Sequence, residues 1–185
     1  MSFNCETSNS SMNFIEHIST YILGNLTIKD LPEIGLIALN ENMESESIYI
    51  LAGMNQNDNP FEILQYFDKA LQELNILLPS KIEAAKNLTK YYLKEIIKNP
   101  NKAFELMNKL NNEVYMQFDW QNNEKKYIGE ELKIEHLFTW YREIQDWNDN
   151  GLLLYHKNLS REEQLKKLKE NLVIEAQSAL KNNYS

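Results

Sequence analysis

The sequence predicts an all-α protein, an irregular bundle or short superhelix of about seven or eight helices packed as antiparallel hairpins. Three observations predict it. The 185 residues include 5 glycines and 4 prolines, too few for the many tight turns of a sandwich or barrel. Apolar residues recur at spacings of three and four through most of the chain. A capping-box pattern precedes three of these runs, at Asp30/Glu33, Ser80/Glu83 and Ser160/Glu163. A hydrophobic content of 43% and an aromatic content of 11% separate the chain from disordered ones, and its length suits one domain.

Residues 1–10 read as a flexible N-terminal arm and residues 11–185 as a single helical domain. Ser11 can cap a first helix carrying Phe14, Ile15, Ile18 and Ile22, which ends at Gly24 or Asn25. Asp30 and Glu33 box the start of a second helix, with Pro32 in its first turn and Ile34, Ile37 and Ala38 on its stripe. Ser45 can cap a third, and Gly53 suits the left-handed residue that ends it. The run Ser47–Leu51 also fits a buried strand; helix is favoured because no partner strand is evident. Asn59 and Pro60 open a fourth helix with Phe61, Leu64, Leu71 and Leu74. A fifth follows Ser80, with Ile82, Ala85, Leu88, Tyr92 and Ile96 on one side. Asn99-Pro100 punctuates before Ala103, Phe104, Met107 and Leu110. After a polar loop at 121–126, a helix from Glu130 to Trp147 turns Leu132, Leu137, Tyr141 and Ile144 inward. The last helix opens at Ser160 and carries Leu165, Leu168, Leu172, Ala176 and Ala179.

Charge is distributed unevenly. The net charge is −8, but residues 1–73 hold eleven acids and two bases, a net −9, and the remainder is close to neutral at +1. Such a half repels phosphates, which disfavours nucleic acid, and favours a basic protein partner. Solvation of exposed helix faces is the plainer explanation of the same acids. Lys86, Lys90, Lys94 and Lys98 form the opposite pattern, a stripe at strict four-residue spacing. It suits an anionic ligand, an acidic face of the same molecule, or water.

Most chemistry is poorly supported. Asp146, Asn148, Asn150 and Gly151 begin like a calcium loop, but its twelfth position, where a bidentate carboxylate belongs, is Lys157. His17, His136 and His156 have no partners at metal-ligand spacing, and the single Cys5 excludes a disulfide framework or a multi-cysteine zinc site. No metal and no organic cofactor is expected. His136 shares a helix face with Glu143, which leaves an acid/base site there as one alternative. No apolar run is long enough to span a bilayer and no signal peptide is evident, so the expected compartment is the cytoplasm, with no membrane partner. The segment 118–147 concentrates aromatics, and Trp140 and Trp147, seven apart, share a face that suits either a core or an interface.

The phrases DLPEIGLIALNENMESESIYILAG and LFTWYREIQDW resemble stretches of small, uncharacterised bacterial proteins, and the abundance of Asn, Ile and Lys is that of an AT-rich bacterial genome. Small acidic helical chains of this type are similar in character to the immunity proteins that neutralise bacterial toxins. The functional expectation is therefore a protein-binding module, with Glu41, Glu44, Glu46, Asp58, Trp140 and Trp147 as contact residues and a basic protein as partner. The alternatives are an enzyme using His136 and Glu143, and anion or nucleic-acid binding through Lys86, Lys90, Lys94 and Lys98.

Overall fold

Five of the eight α-helices among the described residues begin where a side chain takes over a free backbone N–H. A computed structural model describes residues 12–117 and 128–184. Asn13 and Glu16 form a reciprocal capping box that opens α1 (Phe14–Ile22). Ser45 accepts from Ile48 N to open α3 (Glu46–Gly53), and Asn59 opens α4 (Pro60–Glu73) with proline in the first turn. The boxes at Ser80/Glu83 and Ser160/Glu163 open α5 (Lys81–Lys98) and α8 (Arg161–Asn183), as their spacing predicts.

Several local expectations are corrected. Asp30 does not cap α2 (Leu31–Asn40): it is itself helical, and its carboxylate turns back to the N–H and hydroxyl of Thr27. The box therefore sits one turn earlier, opening a short 3-10 turn at Ile28–Asp30 that runs into α2. The residues 47–51 are helical, and Gly53 stays in the helix without a positive φ. α6 (Ala103–Lys109) continues through a π-turn at Leu110–Val114 and a 3-10 turn at Tyr115–Gln117. The helix expected from Glu130 begins late. A 3-10 turn at Glu130–Leu132, flanked by Gly129 (φ 87°) and Lys133 (φ 52°), precedes α7 (Glu135–Asn148). Glycine is needed at 129 twice over, because a Cβ there would also lie 2.6 Å from Phe138 Cδ2. The expected arm with Cys5, the Ser11 cap, the polar loop and the aromatics at 118, 120 and 127 lie outside the described residues.

The eight helices make an all-α bundle with no strand among the described residues. Their apolar stripes close over two cores. The first takes Phe14, Ile18, Leu31, Ile34, Ile48, Leu51, Ile63 and Phe67 from α1–α4. The second takes Leu88, Tyr92, Ile96, Met107, Leu110, Phe138, Tyr141, Leu168 and Leu172, largely from α5–α8. α1 joins them: it packs along α5, Leu23 just beyond its end enters the second core, and Ile22 touches both. Two hydrogen bonds cross the same seam, Asn87 Nδ2 to Ser19 Oγ at 3.2 Å and Asn25 Nδ2 to the Glu113 carbonyl at 2.6 Å. The end of α8 is tied down by Tyr184, whose hydroxyl donates to the Leu132 carbonyl at 2.5 Å and whose pKa burial pushes up to about 12. No helix among the described residues is long and apolar enough to cross a membrane.

Candidate functional site

Several acidic side chains of the first half are held by neutral donors. Glu41, at the end of α2, accepts the Phe14 N–H at 2.7 Å and so caps α1 across the fold. Glu44, exposed in the α2–α3 connection, lies near enough to Tyr49 to raise the pKa of its phenol. Asp58 accepts from both the N–H and the side-chain amide of Asn55, shaping the turn before α4. Glu73, at the end of α4, accepts from Ser47 N at 3.0 Å and Ser47 Oγ at 2.7 Å, and these bonds hold its carboxyl below the ordinary glutamate range. Glu46 is exposed in the first turn of α3. An amide or a hydroxyl orders a carboxylate without cancelling its charge. The half therefore keeps a negative field while fixing several of the side chains that create it.

The tryptophans do not join these acids. Trp140 and Trp147 are half-buried on α7 against the second core. Trp140 lies 4.9 Å from the Tyr155 ring and stacks on His156 at 6.2 Å. Trp147 donates its indole N–H to the Arg161 carbonyl at 3.0 Å, and the Arg161 guanidinium lies 4.5 Å over its ring. Both rings are spent on fixing the α7–α8 connection. The six residues expected as contacts thus lie in two places, the four acids along α2–α4 and the two tryptophans against the second core.

His136 and Glu143 also separate. Glu143 is 3% exposed, and its carboxylate accepts the N–H groups of Leu154 and Tyr155 at 3.1 Å. His136 is exposed at the start of α7, between adjoining cavities of about 530 and 410 Å3. Ile128, Glu135, Phe138, Thr139 and Arg142 share the larger one with it, and Glu143 lines neither. Among the described residues no group of three or more His, Cys, Asp or Glu side chains is arranged to hold a metal.

Of the lysine stripe, Lys86, Lys94 and Lys98 are exposed and Lys90 is half-buried. Lys86 borders a small cavity of about 140 Å3 that also contains Glu131, so the stripe begins beside an acid of its own fold.

Sequence reasoning missed His17. It is half-buried beside Glu33 and Glu41 in a cavity of about 440 Å3, and burial lowers its pKa against the pull of Glu33, Glu16 and Glu41. Nothing in the local spacing reports this group, since α1 and α2 bring it together. Also missed were Leu36 and Tyr49, which are 50% and 53% exposed on the acidic hairpin. Their departure from the apolar stripe was the available signal.

No protein-family model, curated protein or solved structure matches this chain.

Proposed function

We propose that this protein is a protein-binding module whose acidic first half receives a basic protein, in the manner of an immunity protein meeting a toxin domain. The observation that carries the reading is the segregation of charge, net −9 over residues 1–73 against +1 for the rest. The neutral capping of Glu41 and Asp58 supports it, because an N–H donor fixes a carboxylate without bringing a positive charge to cancel it. A field of this kind raises the rate of encounter with a positive surface and falls away with salt.

The test is association kinetics with a basic protein captured from the native host at low salt. Glu41, Glu44 and Glu46 are changed together to glutamine, which keeps an oxygen to accept the Phe14 N–H. The expected outcome is slower association with a shallower salt dependence and an unchanged melting temperature. Capture of no basic protein, or association indifferent to the triple change, overturns the reading.

A further inference from the structure

The hairpin of α2 and α3 has a solvent face that is apolar at its centre. At Gly35 the two helices meet closely, since a Cβ there would lie 3.0 Å from Ala52 N and 3.2 Å from Leu51 Cγ. A helix turns about 100° per residue, so Leu36 points roughly a quarter-turn away from this contact line. Residues 41–45 are too short a connection for anything but an antiparallel return. In an antiparallel pair, Tyr49, three residues before Ala52, turns to the same side as Leu36. The opposite side carries Ile34, Ala38 and Leu51, all buried in the first core. Leu36 and Tyr49 therefore lie together on the outer side, each about half exposed.

Along the hairpin's own sequence the charges around this pair are all negative. Between Leu31 and Gly53 there are four glutamates, Glu33, Glu41, Glu44 and Glu46, and no lysine or arginine. Glu44 raises the pKa of the Tyr49 phenol, which puts its carboxylate near the polar end of the ring. Tyrosine is a frequent interface anchor because it offers a large rigid surface with a polar tip. An apolar centre with an acidic edge is complementary to a helix that carries apolar residues on one stripe and lysine or arginine beside it. An anionic membrane or a nucleic acid would be repelled by the same edge.

We propose that this face, centred on Leu36 and Tyr49 and edged by Glu44 and Glu46, docks a basic amphipathic helix of another protein. The proposal rests on the basic-partner reading above and specifies where and how that partner lands. The apolar pair supplies residence and register, and the glutamates supply speed of encounter.

The test uses the full chain, isotope-labelled for NMR, and two probes. One is a synthetic peptide of lysine and leucine at helical spacing, about five turns long. The other is an oligolysine of equal charge. The amphipathic peptide should bind at least about tenfold more tightly than oligolysine, with amide shifts centred on residues 36 and 49. Leu36→Ser combined with Tyr49→Ser should abolish that advantage and leave oligolysine binding unchanged. Equal affinity for the two probes, or an advantage that survives the double change, overturns the docking face but leaves the basic-partner reading standing. Failure of both probes to bind at low salt removes the reading on which the proposal rests.

Discussion

Glu143 carries a carboxylate into the second core, where an unpaired charge would be costly. Three hydrogen bonds to the N–H groups of Leu154 and Tyr155 offset that cost and fix the loop after α7. Glu143→Ala leaves both amides without their acceptor and should cost about 2–3 kcal/mol in a urea melt, with Glu143→Gln costing less. Glu73 shows a different use of the same group. Its bonds from Ser47 lower its pKa in the folded state. A depressed carboxyl adds stability above the ordinary glutamate pKa and loses it as pH falls through the folded value. Ser47→Ala should thus raise the NMR titration midpoint of Glu73 and flatten the acid limb of the stability profile. An unmoved midpoint would show that the Ser47 N–H, which alanine keeps, holds the carboxylate without the hydroxyl. Neither role is legible in the sequence, because the partners are 11 and 26 residues away.

Helix elements were the most legible scale. The boxes at Ser80/Glu83 and Ser160/Glu163, and the caps at Ser45 and Asn59, stand where their spacing puts them. These are contacts within one turn, so neighbours in sequence decide them. Asp30 failed for an equally local reason: Thr27 competes for the same carboxylate and wins. The glycines separate local from tertiary control. Gly53 is helical with nothing within 4 Å of a built Cβ, and Gly53→Ala should stabilise by about 0.5–1 kcal/mol through helix propensity. Gly35→Ala gains the same propensity but presses on the Ala52 backbone, and should be net destabilising by about 1 kcal/mol. Paired thermal melts check both signs, and a stabilising Gly35→Ala would show that the α2–α3 contact yields.

At the scale of the molecule, the two cores share α1. Phe14 and Ile18 serve the first and Leu23 the second, so loss of either core removes support from α1. We expect one cooperative unfolding transition, with tryptophan fluorescence, which reports the second half, coinciding with far-UV circular dichroism, which reports both. Leu23→Ala should lower stability by about 2–4 kcal/mol and shift both signals together. Separate midpoints would make the halves independent units. The same scale governs the surface. Trp140 and Trp147 look alike as candidate anchors in sequence, yet tertiary contacts turn both toward the α7–α8 connection, and Leu36 and Tyr49 face solvent instead.

Short-range rules along the chain set the helical class, most helix starts and the segregation of negative charge. Periodicity and capping act between residues at most four apart, and net charge is a property of composition. Tertiary structure alone decided which glutamates cap distant backbone, which carboxylate is buried, and which aromatic rings remain outside. Those outcomes depend on which helix covers which face. Two apolar stripes of the same period can be told apart only by the neighbour that packs against them.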